Sequence, residues 1–417
     1  MTGRTQWHRS VPVHALLFLT MFFSTWGSGM QKLSPVDLSK IFPLLSALVI
    51  LYAVLFAKRK MVFPRAFNWF AAFYVLHMIA AYGLIFPGEL QFGFTGSATR
   101  GADFLVRSEG AGIACSRILL FMAFGYALAA LLWDRRRLRW AAIGYGAGLL
   151  AVLALGGYVS TEVSRTSAEV RNAGGFLDPN SFGFAGLTAV SLALLAWADA
   201  GKEPRLKAVL GAVAITGGLA VLQSGSRAAM MGCLFLFIVI MLCTDRMSRK
   251  MNMLVAGGLV ALVAFTFMPG TMLESLKERT SIGRMRADRG ANRLDIWSNY
   301  LAELPSYAVT GVGILRSKEV IRGTYTAEFA ITHNQYLEIL VETGFAGMAL
   351  FLAALAGLWR AASSLRDPGR PLMRPMLLAA LVGLFTEFMF INTFYSRDTW
   401  IMLGAVAGLA HHRRSDG

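Results

Sequence analysis

His333 opens the stretch His333-Asn334-Gln335-Tyr336-Leu337, and Glu342-Thr343-Gly344 and Gly347 follow it. A neutral imidazole, with a reference pKa of about 6.5, can take a proton from a hydroxyl at neutral pH. At the start of a helix through Leu337 and Leu340 the same residue can instead serve as a capping or hydrogen-bonding group. Glu338 and Glu342 lie toward the far end of that helix, where its dipole disfavours acids, so they point to partners elsewhere. A second chemistry is carried by arginine, whose guanidinium grips phosphate through two parallel hydrogen bonds and stays charged. Arg227 ends Ser224-Gly225-Ser226-Arg227, a four-residue break between apolar runs. An arginine held there either reaches lipid headgroups or binds a ligand, and the small turn lets a headgroup approach closely. Asp178-Pro179-Asn180 has the local physics of a helix start, with Asp or Asn capping and Pro setting the approach. Glu387 sits inside an apolar run, where an ionisable group faces a polar cavity or pairs with an arginine.

These residues must be positioned by helices that live in lipid. Apolar residues make up 56% of the 417 positions and the mean hydropathy is +0.54, which a soluble surface of this size does not tolerate. A bilayer core takes about 20 apolar residues per helix. Such runs fall near 12–29, 40–57, 66–87, 114–133, 140–158, 181–199, 207–223, 228–243, 251–269, 344–358, 376–394 and 399–411. The expectation is therefore an all-α polytopic membrane protein of about twelve transmembrane helices, forming one membrane domain over 1–417. Arg4 and Arg9 precede the first run in the manner of a signal peptide, but no small-x-small site follows, so the run is read as the first helix.

Basic clusters set the orientation. Lys58, Arg59, Lys60 and Arg65 follow the second run, Arg135, Arg136, Arg137 and Arg139 the fourth, Lys202, Arg205 and Lys207 the sixth, and Arg246, Arg249 and Lys250 the eighth. Arg360, Arg366, Arg370 and Arg374 after the tenth and Arg413 and Arg414 after the twelfth keep the parity. The positive-inside rule then predicts both termini in the cytoplasm. Residues 270–343 become a large outer loop between the ninth and tenth helices, too long to be structureless. Within it, Leu294, Trp297, Leu301 and Leu304 recur at helical spacing from Arg293, and Pro305 punctuates the run. Arginines are unexpected on the outer side, yet Arg100, Arg107, Arg117, Arg165, Arg171, Arg227 and Arg397 fall there, as does the run Lys277, Arg279, Arg284, Arg286, Arg289 and Arg293. As a set they suit a diphosphate or another polyanion; the alternatives are anionic headgroups and local acids.

The net charge of +16 does not point to nucleic acid, because the basic residues sit in short links and form no soluble basic face. Cys115, Cys233 and Cys243 lie in or beside apolar runs without metal spacing and read as packing or lipid-facing residues. No phosphate loop, dinucleotide fingerprint or His-Glu-x-x-His metal motif is present, and no cofactor is expected. Gly311-x-Gly313 is too short a signal to count.

Taken together, the layout with one large late loop, His333-Asn334-x-x-Leu337 with Glu342-x-Gly344-x-x-Gly347, and the upstream Asp178-Pro179-Asn180, Ser226-Arg227 and Arg293-x-x-x-Trp297 resemble the O-antigen ligase and polymerase superfamily of bacterial membrane glycosyltransferases. Asp178 stands where family members often carry Asn. The resemblance is fullest over 170–395. It implies a type-C glycosyltransferase-like fold in the inner membrane, with a helical periplasmic loop and a periplasmic, metal-independent site. The donor would be a glycan on undecaprenyl diphosphate, and the acceptor a sugar hydroxyl of lipid A-core for a ligase or the growing chain for a polymerase, with the ligase favoured. It further implies that Arg227 and Arg293 hold the diphosphate and that His333 activates the acceptor hydroxyl, helped by Glu342. Arg171, Asn180, Ser226, Arg289, Trp297, Asn334 and Arg397 are the expected substrate-binding residues. A flippase or other transporter would share the helices and arginines, but usually shows matching halves, and no such repeat is present. The orientation is directly testable: in a cysteine-free background, Arg171→Cys reacts with a membrane-impermeant maleimide added outside the inner membrane, whereas Arg136→Cys stays unlabelled until the membrane is opened. The reverse pattern inverts the topology.

Overall fold

A computed structural model describes residues 4–26, 41–57, 63–85, 103–156, 161–163, 170–172, 178–266, 293–321, 331–367 and 369–410, with positions 270, 274 and 277. The chain is helical because lipid offers no partner for backbone N–H and C=O groups, which an α-helix satisfies internally. The helices are α1 Arg4–Ser24, α2 Ile41–Phe56, α3 Arg65–Ile79, α4 Asp103–Leu131, α5 Arg135–Gly156, α6 Pro179–Asp199, α7 Pro204–Ser224, α8 Arg227–Cys243 and α9 Met247–Thr266. After them come α10 Arg293–Ala302, the short α11 Leu304–Tyr307, α12 Gln335–Ser363, α13 Met373–Phe390 and α14 Arg397–Ala410. Each expected spanning segment overlaps one of these helices.

Among the described residues, six helical stretches are long and apolar enough to cross a membrane: Gly112–Leu131, Arg135–Leu155, Pro179–Asp199, Pro204–Ser224, Gln335–Ser363 and Met373–Phe390. Pro12–Ser24, Ile41–Phe56 and Arg227–Cys243 are shorter apolar helices. The helical expectation needs one addition, an antiparallel pair of strands, β1 Thr161–Val163 and β2 Val170–Asn172, with Glu162 opposite Arg171.

Packing uses small residues and aromatics. A Cβ on Gly186 of α6 or on Gly217 of α7 would lie 2.6 Å from the other glycine's carbonyl oxygen, so the two backbones meet as closely as membrane helices can. A chain of rings joins α3, α12 and α14: Phe70 lies 5.1 Å from Phe351, and Phe394 lies 4.9 Å from Trp400. Leu51, Leu55, Trp69 and Leu76 face outward from α2 and α3, as apolar side chains solvated by lipid should.

One end of the bundle is closed by a buried carboxylate. Asp199, at the end of α6, lies 3.3 Å from Arg135 Nε, 3.8 Å from Arg139 Nε and 3.1 Å from Arg370 Nη1. Arg139 also reaches Glu203 Oε1 at 3.0 Å. Arginines from two of the basic links read from the sequence therefore converge on one residue. Asp178 begins the same helix, about 30 Å away by helical rise. Asp199 is 3% exposed, so Asp199→Ala leaves three cations facing a buried gap and should lower stability by about 3 kcal/mol. Arg135→Ala, at a side chain 56% exposed, should cost under about 1 kcal/mol. Thermal unfolding of the detergent-solubilised protein checks both, and equal effects would refute the assignment.

Candidate active site

The end of the bundle opposite Asp199 gathers most of the residues singled out by sequence. Asp178 caps α6, its carboxylate accepting from the backbone N–H groups of Asn180 at 3.1 Å and Ser181 at 3.2 Å. The local reading of Asp178-Pro179-Asn180 is thus realised, and Asn180 Nδ2 also donates to Asp178 Oδ1 at 3.1 Å. Gly225 ends α7 in the left-handed region, with φ +59°, and Ser226 caps α8 by accepting from Ala229 N at 3.4 Å. Gly183 lets these two turns meet, since a Cβ there would lie 2.7 Å from Ser224 Oγ and 2.9 Å from Ser226 Cβ. Arg227 begins α8 at this junction, half-buried.

Arg293 begins α10 and its guanidinium lies 5.8 Å from the Phe390 ring at the end of α13. The helix read from the spacing at Arg293 is realised as α10; on it Ile296 and Tyr300 are buried, whereas Leu294 and Leu301 are each 54% exposed. Pro305 does not merely end that helix, because it occupies the first turn of α11, where its missing N–H costs nothing.

His333 has φ +45°, a left-handed conformation that costs a non-glycine residue about 1–3 kcal/mol. Its neighbours hold it there. Trp297 Nε1 donates to Thr332 O at 2.7 Å, and Thr332 Oγ1 lies 2.6 Å from Glu338 Oε2 and 2.9 Å from Asn392 Oδ1. Glu338 also accepts from Ser317 Oγ at 2.7 Å and Asn392 Nδ2 at 3.0 Å. On the other side Asn334 caps α12 by accepting from Leu337 N at 3.0 Å, and Gln335 Oε1 accepts from Phe394 N at 2.7 Å. At about 1 kcal/mol net for each hydrogen bond, this network exceeds the backbone strain. The helix cap is therefore Asn334, which leaves the His333 imidazole available for chemistry.

Burial, and then the charge of Arg293, push the His333 pKa down to about 4, with Lys318 adding to the effect and Asp178 opposing it. The imidazole is a neutral acceptor across the physiological range. The charges it feels tie α6, α10 and the start of α12 into one site.

Glu342 is turned elsewhere. Its side chain accepts from Leu315 N at 2.5 Å and from the Tyr395 hydroxyl, while its carbonyl accepts from Gly313 N at 3.0 Å. His77 Nε2 lies 3.0 Å from the same carbonyl and must carry the ring proton there, because a carbonyl can only accept. These contacts secure a break in α12 at Gly344, with φ +68° and ψ −171°, a region open essentially to glycine alone. Arg397 Nη1 donates to Trp26 O at 3.1 Å and its guanidinium lies 5.4 Å from the Phe42 ring, directing it toward α1 and α2. Arg171 lies in β2, and Arg289 falls outside the described residues. Sequence reading missed Thr332, Asn392, Tyr395 and His77, whose roles come entirely from distant partners. Gly311 and Gly313 were set aside as a phosphate loop and act instead as the close contact onto Glu342, Gly311 having no room for a Cβ.

Apolar helices of spanning length, capped at one end by a cluster of arginine, histidine and acid, define a multi-pass membrane protein with a polar site at the end of its bundle. Residues 212–352 match the O-antigen ligase family model, which supports the O-antigen ligase superfamily for this part of the chain. The matched span runs from α7 into α12 and contains Ser226, Arg227, Arg293, Trp297, His333, Asn334 and Glu342. Proteins of this superfamily handle lipid-linked polysaccharides. No curated protein matches the chain.

Trp297→Phe removes the donor to Thr332 O while keeping an apolar ring. It should lower turnover about tenfold through loss of His333 alignment, with a stability change near 1 kcal/mol. A variant of unchanged turnover removes Trp297 from the support of His333.

Proposed function

We propose that the protein is an O-antigen ligase that transfers a glycan from undecaprenyl diphosphate to a sugar hydroxyl of lipid A-core at the periplasmic face of the inner membrane, without metal. The observation that carries this reading is the match of residues 212–352 to the family model, a span in which the buried His333 imidazole stays neutral and feels the charge of Arg293. This end of the bundle is taken as periplasmic on the sequence alternation of basic links; nucleotide donors are absent on that side, and a lipid-linked donor is the available one.

In the reaction, the acceptor hydroxyl oxygen attacks the anomeric carbon from the face opposite the diphosphate, which inverts the centre. The new C–O bond forms as the bond to the diphosphate breaks. The leaving group departs with that electron pair as undecaprenyl diphosphate, and the hydroxyl proton passes to His333. Arg227 and Arg293 hold the diphosphate and stabilise the charge that grows on it, the larger part of catalysis in such displacements. Asn180 and Ser226 shape the turns around it. Arg171 and Arg289 extend the positive surface toward the acceptor, while Arg397 joins α14 to α1 and α2. Glu342, Trp297 and Asn334 serve by fixing the segment that bears His333.

Purified protein given the lipid-linked glycan and lipid A-core should yield glycosylated lipopolysaccharide without nucleotide and in the presence of chelator. Arg227→Ala and His333→Ala should each lower the rate by at least about a hundredfold while inserting and unfolding normally. Product that is only a lengthened donor would make the protein a polymerase of the same superfamily; a strain lacking it would then carry single repeats on core instead of full-length polymer stranded on the carrier. Because the His333 pKa lies near 4 rather than 6.5, kcat/KM should hold as pH falls from 8 to 5 and decline only below. Folding stability should weaken earlier, from about pH 6.5 downward, because the unfolded imidazole takes up its proton first. An acid limb in kcat/KM at 6.5 would remove His333 as the base.

A further inference from the structure

The hydrogen bonds around Thr332 call for one proton more than its hydroxyl and the nearby amide supply. Thr332 Oγ1, Glu338 Oε2 and the Asn392 side-chain amide form a closed triangle. Thr332 Oγ1 lies 2.6 Å from Glu338 Oε2 and 2.9 Å from Asn392 Oδ1, and Asn392 Nδ2 lies 3.0 Å from Glu338 Oε2. Three contacts need three protons. Asn392 Nδ2 supplies one, and Asn392 Oδ1 can only accept, so the hydroxyl proton of Thr332 belongs to the contact with Oδ1. The 2.6 Å contact then holds a proton only if Glu338 carries it. Turning the Asn392 amide over gives the same count: its nitrogen donates to Thr332 Oγ1, and its oxygen meets Glu338 Oε2, which again must donate. Asn334 O, at 3.2 Å from the Thr332 hydroxyl, adds a further acceptor and no donor. No water fits within a 2.6 Å contact, and Thr332 is 0% and Glu338 5% exposed. The other carboxyl oxygen, Oε1, accepts from Ser317 Oγ at 2.7 Å.

The triangle joins three elements: the segment that leads into α12, α12 itself, and the link between α13 and α14. It holds Thr332 by the side chain, while Trp297 Nε1 holds it by the carbonyl at 2.7 Å. The next residue is His333, at φ +45°. If Glu338 loses its proton, one side of the triangle becomes two acceptors face to face, which repel. Thr332 is then held by its carbonyl alone, and His333 is free to relax from its strained backbone. The titratable groups that act with Glu338 are Lys318 of the link before α12, Glu342 one turn on, Tyr300 of α10, Tyr74 of α3 and Tyr395. Lys318 is the cation among them and the rest are acids.

We propose that Glu338 is a neutral, protonated acid at neutral pH and a positioning residue for His333, its proton closing the ring that fixes Thr332. The proton follows from the hydrogen-bond count alone; the consequence for turnover rests on the ligase reading. That consequence is an alkaline fall in kcat that belongs to Glu338 and not to the base, since His333 is already neutral there.

Infrared difference spectra of full-length protein in nanodiscs, native minus Glu338→Gln, test the proton directly. At neutral pH the difference should contain the carbonyl stretch of a protonated carboxyl group, sensitive to D2O, which gives way to carboxylate bands at alkaline pH. Steady-state transfer by the native protein should fall over the same interval. Glu338→Gln, whose amide offers a donor and an acceptor but cannot ionise, should keep kcat within about fivefold and lack the alkaline fall, whereas Glu338→Ala should lower kcat at least about tenfold. Should Gln fail to fold, Thr332→Val keeps the acid and removes its partner, and the protonated carboxyl band must move to higher frequency. Carboxylate bands alone at neutral pH, an alkaline fall that survives in the folded Gln variant, or a band that Thr332→Val leaves in place overturns the proposal. The ligase reading fails separately: native protein that shows the protonated band and transfers no glycan supports the proton, and refutes that reading together with the positioning role.

Discussion

Glu342 holds the segment between α10 and α12 onto the membrane bundle. Its carboxyl accepts from Leu315 N and the Tyr395 hydroxyl, and its carbonyl from Gly313 N and His77 Nε2, so one buried residue joins α3, the loop after α11, the break in α12 and the link before α14. The break explains why such a residue is needed. At Gly344 the helix ladder stops, and any carbonyl freed there lacks water. Phe345 N closes the other side of the gap on Ala308 O at 2.8 Å. With those groups satisfied, Gln335–Thr343 becomes a rigid shelf, and His333 projects from its start. The imidazole is placed by the contacts of Glu342, nine residues downstream of it, through a helix segment too short to be stable alone.

The layout of helices was legible in the sequence because lipid imposes it: spanning runs must be apolar over a fixed length, and basic links must avoid one side. Arg135, Arg139 and Arg370 belong to links assigned to a common side by parity alone, and they meet on Asp199. The caps at Asp178 and Ser226 were legible for a similar reason, since a helix start is solved locally by short polar side chains. The supports of His333 were not legible. His77 lies 265 positions from Glu342, and Asn392 lies 54 from Glu338; no pattern in either neighbourhood marks the pairing. The helix at Arg293 was legible from its spacing, but not which side of it is buried: Tyr300 sends its hydroxyl to Ser317 O at 3.2 Å, a partner 17 residues away, and is buried there.

The charges of the site answer to each other across three elements. Asp178 is fixed by the N–H groups of α6, which leaves its direction set and its field constant. Arg293 lies over Phe390, an aromatic face that attracts a cation without neutralising it. The arginines on Asp199 have their charge committed to a buried carboxylate that closes the opposite end of the bundle.

This arrangement also bears on a difficulty with His333 as a base. An imidazole whose proton affinity is lowered by burial and by Arg293 keeps one ring nitrogen unprotonated but accepts a second proton reluctantly. A diphosphate seated on Arg293 offsets the very charge that suppresses His333, so on the proposed reading the base strengthens when the donor is in place and weakens when the site is empty. Proton transfer also need not run ahead of bond formation, because a hydroxyl that has begun to bond to an electron-poor anomeric carbon becomes far more acidic. A weak base held in line by a rigid backbone is then sufficient, and the strain at φ +45° is the local cost of keeping it aimed. The rigidity that Glu342 gives to the shelf and the electrostatics that Arg293 imposes on the imidazole are consequently parts of one requirement: a base that acts only on a hydroxyl already committed to attack.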